Sequence, residues 1–233
     1  MIKKTIKKIK FFYYCNDLIN LFLANFKGFF LSKNKLTFIQ IPRTTTTLIN
    51  KLIKKNLKDG TKIYIPNHYL KPKYCFLDNY FVTIRDPVER FVSAYYHLKN
   101  NQFITYYENF FEKYPTIDIL AAKITTKKTK SYIRLTHHLN ENLSTFFSID
   151  KINKNKPIFI IDNQFLKKDL KIFFTNFLNL KNTNLNIVNN KKRITKKIIL
   201  KTKTKNKLKK FLAKDYLIYF KLRKIRKKIL NSL

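Results

Sequence analysis

Three features of the sequence predict an α/β fold with a mostly parallel central sheet flanked by helices. Short, continuously apolar runs rich in β-branched and aromatic residues stand at 36–41 (LTFIQI), 79–84 (NYFVTI) and 157–161 (PIFII), without the alternation of a half-exposed strand. Each is followed within a few residues by a stretch whose apolar positions recur at helical spacing. The 233 residues are 45% hydrophobic and 15% aromatic, which suffices for one sizeable core and excludes a disordered chain. No repeat, Gly/Ser linker or composition break divides the chain after residue 36.

The elements follow in order. Residues 1–35 form a basic N-terminal segment whose apolar stretch, 11–26, is interrupted by Asn16, Asp17, Asn20 and Asn25. That stretch is too polar to span a bilayer and lacks the small-residue cleavage site of a signal peptide, so a cytoplasmic location is expected. Ile9, Phe12, Leu18, Leu21 and Phe22 suit an amphipathic helix, expected to pack on the domain of residues 36–233 and able to lie on an anionic membrane. The first strand, 36–41, is ended by Pro42, and a helix over 46–57 begins at threonines. A second strand is expected at 62–65 and a third at 79–84. Pro87 then opens a helix running to about Lys99, with Val88, Phe91, Val92, Tyr95 and Tyr96 on its apolar face. A helical middle follows, about 103–147, with a break near Pro115. The fourth strand, 157–161, leads into a helix over 166–177. From Lys191 onward, Leu208, Phe211, Leu212, Tyr216, Tyr219 and Leu222 predict one basic amphipathic helix packed on the domain.

The charge is extreme. Lys and Arg number 50 against 13 Asp and Glu, for a net +37, and the last 43 positions carry 18 basic residues against Asp215 alone. Most of these are lysines, which an AT-rich coding sequence supplies by itself and which solvate readily on any surface. The seven arginines are more informative, because a planar guanidinium fork recognises anions as an ammonium cannot. Cys15 and Cys75 make neither a disulfide framework nor a metal cluster.

Two constellations can carry chemistry. At 41–48 (IPRTTTTL), Arg43 and the hydroxyls of Thr44, Thr45, Thr46 and Thr47 surround the start of a helix, where unpaired N–H groups and the helix dipole favour an anion. Two of these threonines would serve as helix caps; four and an Arg exceed what capping needs. The glycine-rich GxxxxGK[ST] loop is absent, since the chain has only Gly28 and Gly60. At 81–96 (FVTIRDPVERFVSAYY), Arg85 stands at the carboxyl end of a strand and Ser93 about two turns into the following helix, so both can converge on a second anion. A local ion-pair network accounts for Asp86 and Arg90.

The pair IPRTTTTL and FVTIRDPVERFVSAYYHL resembles the 5′-phosphosulfate loop and the 3′-phosphate motif of sulfotransferases that use 3′-phosphoadenosine 5′-phosphosulfate. The likeness is greatest to the glycan branch that includes the heparan sulfate 2-O-sulfotransferases. Looser similarity continues through PIFIIDNQFLKKDLKIFF and DYLIYF, from residue 36 to the C-terminus. The glycan branch usually carries I-P-K-T-G-G-T; here Arg43 replaces the Lys, as in tyrosylprotein sulfotransferases, and Thr45 and Thr46 replace the glycines. A positive φ at Thr45 would cost of order 1–2 kcal/mol.

The resemblance implies a three-layer, P-loop-like fold and a metal-free transfer. Arg43 would bind the bridging and sulfonate oxygens, Thr44 to Thr47 the 5′-phosphate, and Arg85 and Ser93 the 3′-phosphate. His68 would take the acceptor proton, and Arg134 and the cluster Lys191, Lys192 and Arg193 would add contacts to the 3′-phosphate or acceptor. The expected acceptor is a carbohydrate hydroxyl, with acidic glycans favoured by the positive surface; a protein tyrosine or small alcohol stays open. The alternative is a catalytically weakened scaffold that binds polyanions, nucleic acid or anionic membrane, although RNA-module signatures are absent.

Overall fold

The computed structural model describes residues 19–20, 22–27, 30, 35–57, 63–65, 70–100, 108–136, 138–180 and 200–233. Four strands, β1 (Leu36–Ile39), β2 (Ile63–Tyr64), β3 (Tyr80–Ile84) and β4 (Phe159–Asp162), form one sheet in the order β2-β1-β3-β4. Every pairing is parallel, with Phe38 opposite Phe81 and Phe81 opposite Phe159. Strands buried on both faces need apolar residues at consecutive positions, which is why the sequence shows runs rather than alternation. The strands are shorter than those runs; the first stops at Ile39, and Asn50 Nδ2 donates to the Gln40 side chain at 2.9 Å just beyond it.

Two layers of helix cover the sheet. On one face, α1 (Thr46–Asn56) and α7 (Leu166–Leu178) pack Ile49, Leu52, Phe173 and Phe174 onto Phe38, Phe81, Phe159 and Ile161. Phe38 and Phe81 stack with centroids 4.6 Å apart and planes 4° from parallel. On the other face, Ile39, Val82, Ile84 and Ile160 meet Ile218, Tyr219 and Leu222 of α9 (Ala213–Asn231) and Phe146 of α6 (Leu143–Phe146). The sheet core therefore supplies most of the stabilising burial, at about 1.5–3 kcal/mol for each large apolar side chain. The expected three-layer α/β arrangement is present.

A second cluster lies beside the sheet. α2 (Pro87–Asn100) shares its buried face, including Phe91 and Tyr95, with α3 (Glu108–Lys113), α4 (Ile117–Lys123), α5 (Lys127–Leu135) and α8 (Thr202–Phe211). Tyr114, Pro115 and Thr116 separate α3 from α4, where the sequence places a proline break. The single C-terminal helix expected from the apolar stripe is corrected to two, α8 and α9, parted at Leu212 (φ −96°, ψ 21°). The reason is packing: Leu208 and Leu212 belong to the helical cluster, whereas Ile218 and Leu222 belong to the sheet face. One straight helix cannot serve both.

The described part of the N-terminal segment is helical at residues 22–27. Of the five residues expected on its packing face only Phe22 is described, and it is exposed; Ala24 and Asn25 are buried instead. Asn25 Oδ1 accepts from the Lys71 backbone N–H at 3.1 Å and the Cys75 thiol at 3.3 Å.

Candidate functional site

The strand order reverses between β1 and β3, because β1 is followed by a neighbour on one side and then by β3 on the other. Crevices at such reversals, at the carboxyl ends of the strands, are where open α/β sheets bind ligands. The turns after β1 and β3 flank that crevice, and they hold Arg43 and Arg85.

In the first turn, Arg43 and Thr45 both have left-handed backbones, φ 66° and 68°. For a β-branched residue such as Thr45 this conformation costs about 1–2 kcal/mol. Side-chain hydroxyls offset the strain. Thr44 Oγ1 donates to the Ile41 carbonyl at 2.6 Å and lies 2.6 Å from Thr83 Oγ1, both threonines being fully buried. Thr45 Oγ1 reaches Asn163 Oδ1 at 2.9 Å and the Thr44 carbonyl at 2.5 Å. Thr45 is the N-cap residue of α1, yet its side chain makes no capping bond, and no acidic residue stands in the first turn. The first amides of α1, at Thr46 and Thr47, have no carbonyl one turn earlier to pair with, and among the described residues neither the Thr45 side chain nor an acidic residue of the first turn caps the positive helix end. The capping account of these threonines is not realised.

The second motif is joined to the first. Arg43 Nε and Nη2 both donate to Ser93 Oγ at 3.3 Å, across 50 residues of sequence. The same turn is otherwise well satisfied. Asp86 Oδ1 accepts from the Val88 and Glu89 backbone N–H groups at 3.0 and 3.1 Å, capping α2, and both Asp86 oxygens accept from the Tyr216 hydroxyl. Burial, reinforced by the Asp86 charge, pushes the Tyr216 phenol well above its ordinary value. Arg85 Nε pairs with Glu89 Oε2 at 3.3 Å on an exposed surface.

Arg90 is not part of a surface ion-pair network. It is fully buried, and its guanidinium donates to the carbonyls of His138 (2.9 Å) and Leu139 (3.5 Å) and to Asn142 Oδ1. Burial pushes its pKa down to about 10; the charges of Asp215 and Glu141 oppose that shift, and those of Arg85 and Arg43 add to it. Three arginines therefore raise the potential around one crevice.

The carboxyl end of β4 closes the site from the other side. Asp162 Oδ1 accepts from the Gln164 amide at 3.0 Å, and Arg223 Nε of α9 stands 3.1 Å from Asp162 Oδ2. Burial raises the Asp162 carboxyl pKa above its ordinary value, opposed by that amide and by Arg223 and Arg226. Arg226 binds Asp169 of α7 through two nitrogens, at 2.8 and 2.5 Å, and lies over the Phe165 ring.

The structure thus brings together Arg43, Thr44, Thr45 and Ser93, with Arg85 in the turn after β3, where it pairs with Glu89. Thr46 is buried and Thr47 exposed on the first turn of α1. His68 and Arg193 lie outside the described residues, and Arg134 is exposed at the end of α5. Sequence reasoning missed Thr83 and Asn163, which brace the strained turn, and the pair His138 Nδ1–Glu141 Oε2 at 3.0 Å, whose ring is 5.6 Å from that of His97. The i, i+3 spacing of His138 and Glu141 is the sequence signal for that pair. No family model, curated protein or solved structure matches the chain.

Proposed function

We propose that the chain transfers a sulfuryl group from 3′-phosphoadenosine 5′-phosphosulfate to a hydroxyl, with carbohydrate as the acceptor class. The observation that carries this reading is the Arg43–Ser93 contact beside the uncapped start of α1. It brings the two sequence motifs to one crevice of the expected kind. The residues fit such a donor: helix amides at Thr46 and Thr47 and the Arg43 fork suit the phosphosulfate oxygens. Arg85 suits the 3′-phosphate once it leaves Glu89, and an exposed pair of that kind contributes only about 0.3–0.5 kcal/mol.

The donor, when bound, supplies an activated sulfuryl group. The acceptor oxygen forms the new S–O bond as the bond to the phosphate oxygen breaks. Arg43 stabilises the negative charge that develops on the leaving phosphate. The acceptor proton passes to His68, the residue that the resemblance marks as base. The polyanion-binding alternative draws on a different feature, the exposed lysines 201, 203, 205, 209 and 210 in and before α8.

The two readings part on thermal stability measured with 3′-phosphoadenosine 5′-phosphate, ATP, AMP and sulfate at matched ionic strength. Ligand at a hundredfold excess over Kd stabilises by about 2.7 kcal/mol, or roughly 5–10 °C in a chain of this size. The sulfotransferase reading requires a shift selective for the 3′-phosphorylated nucleotide and lost in Arg43→Ala and Arg85→Ala. Equal shifts with every anion would replace it with the polyanion reading.

A further inference from the structure

The helix at residues 22–27 is mounted with its apolar side outward. Its buried side is Ala24 and Asn25, and Asn25 is the residue that ties it to Lys71 and Cys75. On the opposite side Phe22 is 69% exposed, Leu23 55%, Phe26 58% and Phe30 53%. At 3.6 residues per turn Phe22, Leu23 and Phe26 fall within roughly 100° of arc. Their rings make one strip: Phe22 and Phe26 have centroids 6.2 Å apart, and Phe26 and Phe30 4.9 Å. A helix of a globular domain normally turns such a strip to the core.

The adjoining surface of the domain is apolar too. Cys75, bonded to Asn25, is flanked by Tyr74 and Phe76, which are 57% and 56% exposed. Exposed large apolar side chains gathered in this way mark an interaction site. Cations border it: Lys27 is exposed on the same helix, and Lys73 Nζ stands 4.7 Å from the Tyr74 ring centre. The sequence just upstream adds Lys3, Lys4, Lys7, Lys8 and Lys10, with no acid before Asp17.

Charge selects the occupant. Two copies of a chain carrying +37 repel one another, which opposes self-association through this face. A surface that is negative and apolar beneath satisfies both the lysines and the rings. We propose that this face binds an anionic lipid bilayer, with the helix lying in the interfacial plane and the phenylalanines entering the headgroup–acyl boundary. No helix among the described residues is long and apolar enough to cross a membrane, so the contact is peripheral. This inference is independent of the donor site.

The test is co-sedimentation of the full chain with vesicles of phosphatidylcholine alone and of phosphatidylcholine with about 30 mol% phosphatidylserine, at low and high salt. Binding to the anionic vesicles is expected, with a loss of at least about tenfold in Phe22→Ser/Phe26→Ser. Both side chains are exposed, so the variant should keep the wild-type melting temperature. Lys27→Glu/Lys73→Glu should weaken binding further at low salt. Three results would overturn the proposal: no vesicle binding, equal binding by the phenylalanine variant, or a dimer in sedimentation velocity that the same variant dissolves.

Discussion

After β3 the chain enters α2 through Asp86, whose carboxylate takes two backbone N–H groups, and through Pro87, which needs no hydrogen-bond partner for its nitrogen. After β1 it enters α1 through Thr45, left-handed, with no side chain capping the helix. Both are strand–turn–helix units at the carboxyl end of the same sheet. One satisfies its helix end and adds stability; the other withholds the cap, holds a strained threonine with hydroxyl braces, and keeps its amides for something else. Strain of this kind clusters at binding sites, which is what the proposed donor site requires of this turn.

Substitutions in the two turns should therefore have opposite signs. Asp86→Ala removes the cap and leaves the half-buried Tyr216 hydroxyl without its acceptor, so it should cost about 2–3 kcal/mol in urea unfolding. A loss below about 0.5 kcal/mol would mean that the second turn is not held together as described. Thr45→Gly should raise stability by up to about 1 kcal/mol, relief of the left-handed strain exceeding the lost bond to Asn163. Destabilisation instead would mean that the hydroxyl brace outweighs the strain it offsets. The smallest effect is expected at Glu89→Gln, which frees Arg85 from its exposed partner. Affinity for 3′-phosphoadenosine 5′-phosphate, read by calorimetry, should rise about twofold; an unchanged affinity would put Arg85 outside the donor contacts.

The layers of the fold were legible because fully buried parallel strands demand consecutive apolar residues, and Phe38, Phe81 and Phe159 stand in such runs. The division at Leu212 was not legible. Its apolar stripe continues through the break, and only the existence of two separate clusters to be covered forces the bend. Arg43 and Ser93 could be named from local motifs, since each sits in a strand–turn–helix segment of its own. Asn163 and Thr83 could not, because their role depends on a turn contributed by a distant part of the chain. The apolar face with Phe22 was legible but its outward direction was not, for a related reason: helical periodicity identifies an apolar face but not the direction in which the domain holds it.

The arginines of α9 bear on the order in which the molecule assembles. Asp162 and Asp169 are buried beside β4, and their guanidinium partners arrive from Arg223 and Arg226, the latter 57 residues beyond Asp169. Until α9 docks, the two carboxylates at the end of β4 have backbone amides as partners, Gln164 for Asp162 and Asp162 for Asp169, but no guanidinium, and burying them without one is costly. A nascent chain can collapse its phenylalanine layer early, but that edge cannot settle before α9 has been synthesised. Formation of α9 contacts should thus gate the final folding step, leaving the β4 side exposed to chaperones and proteases for longest.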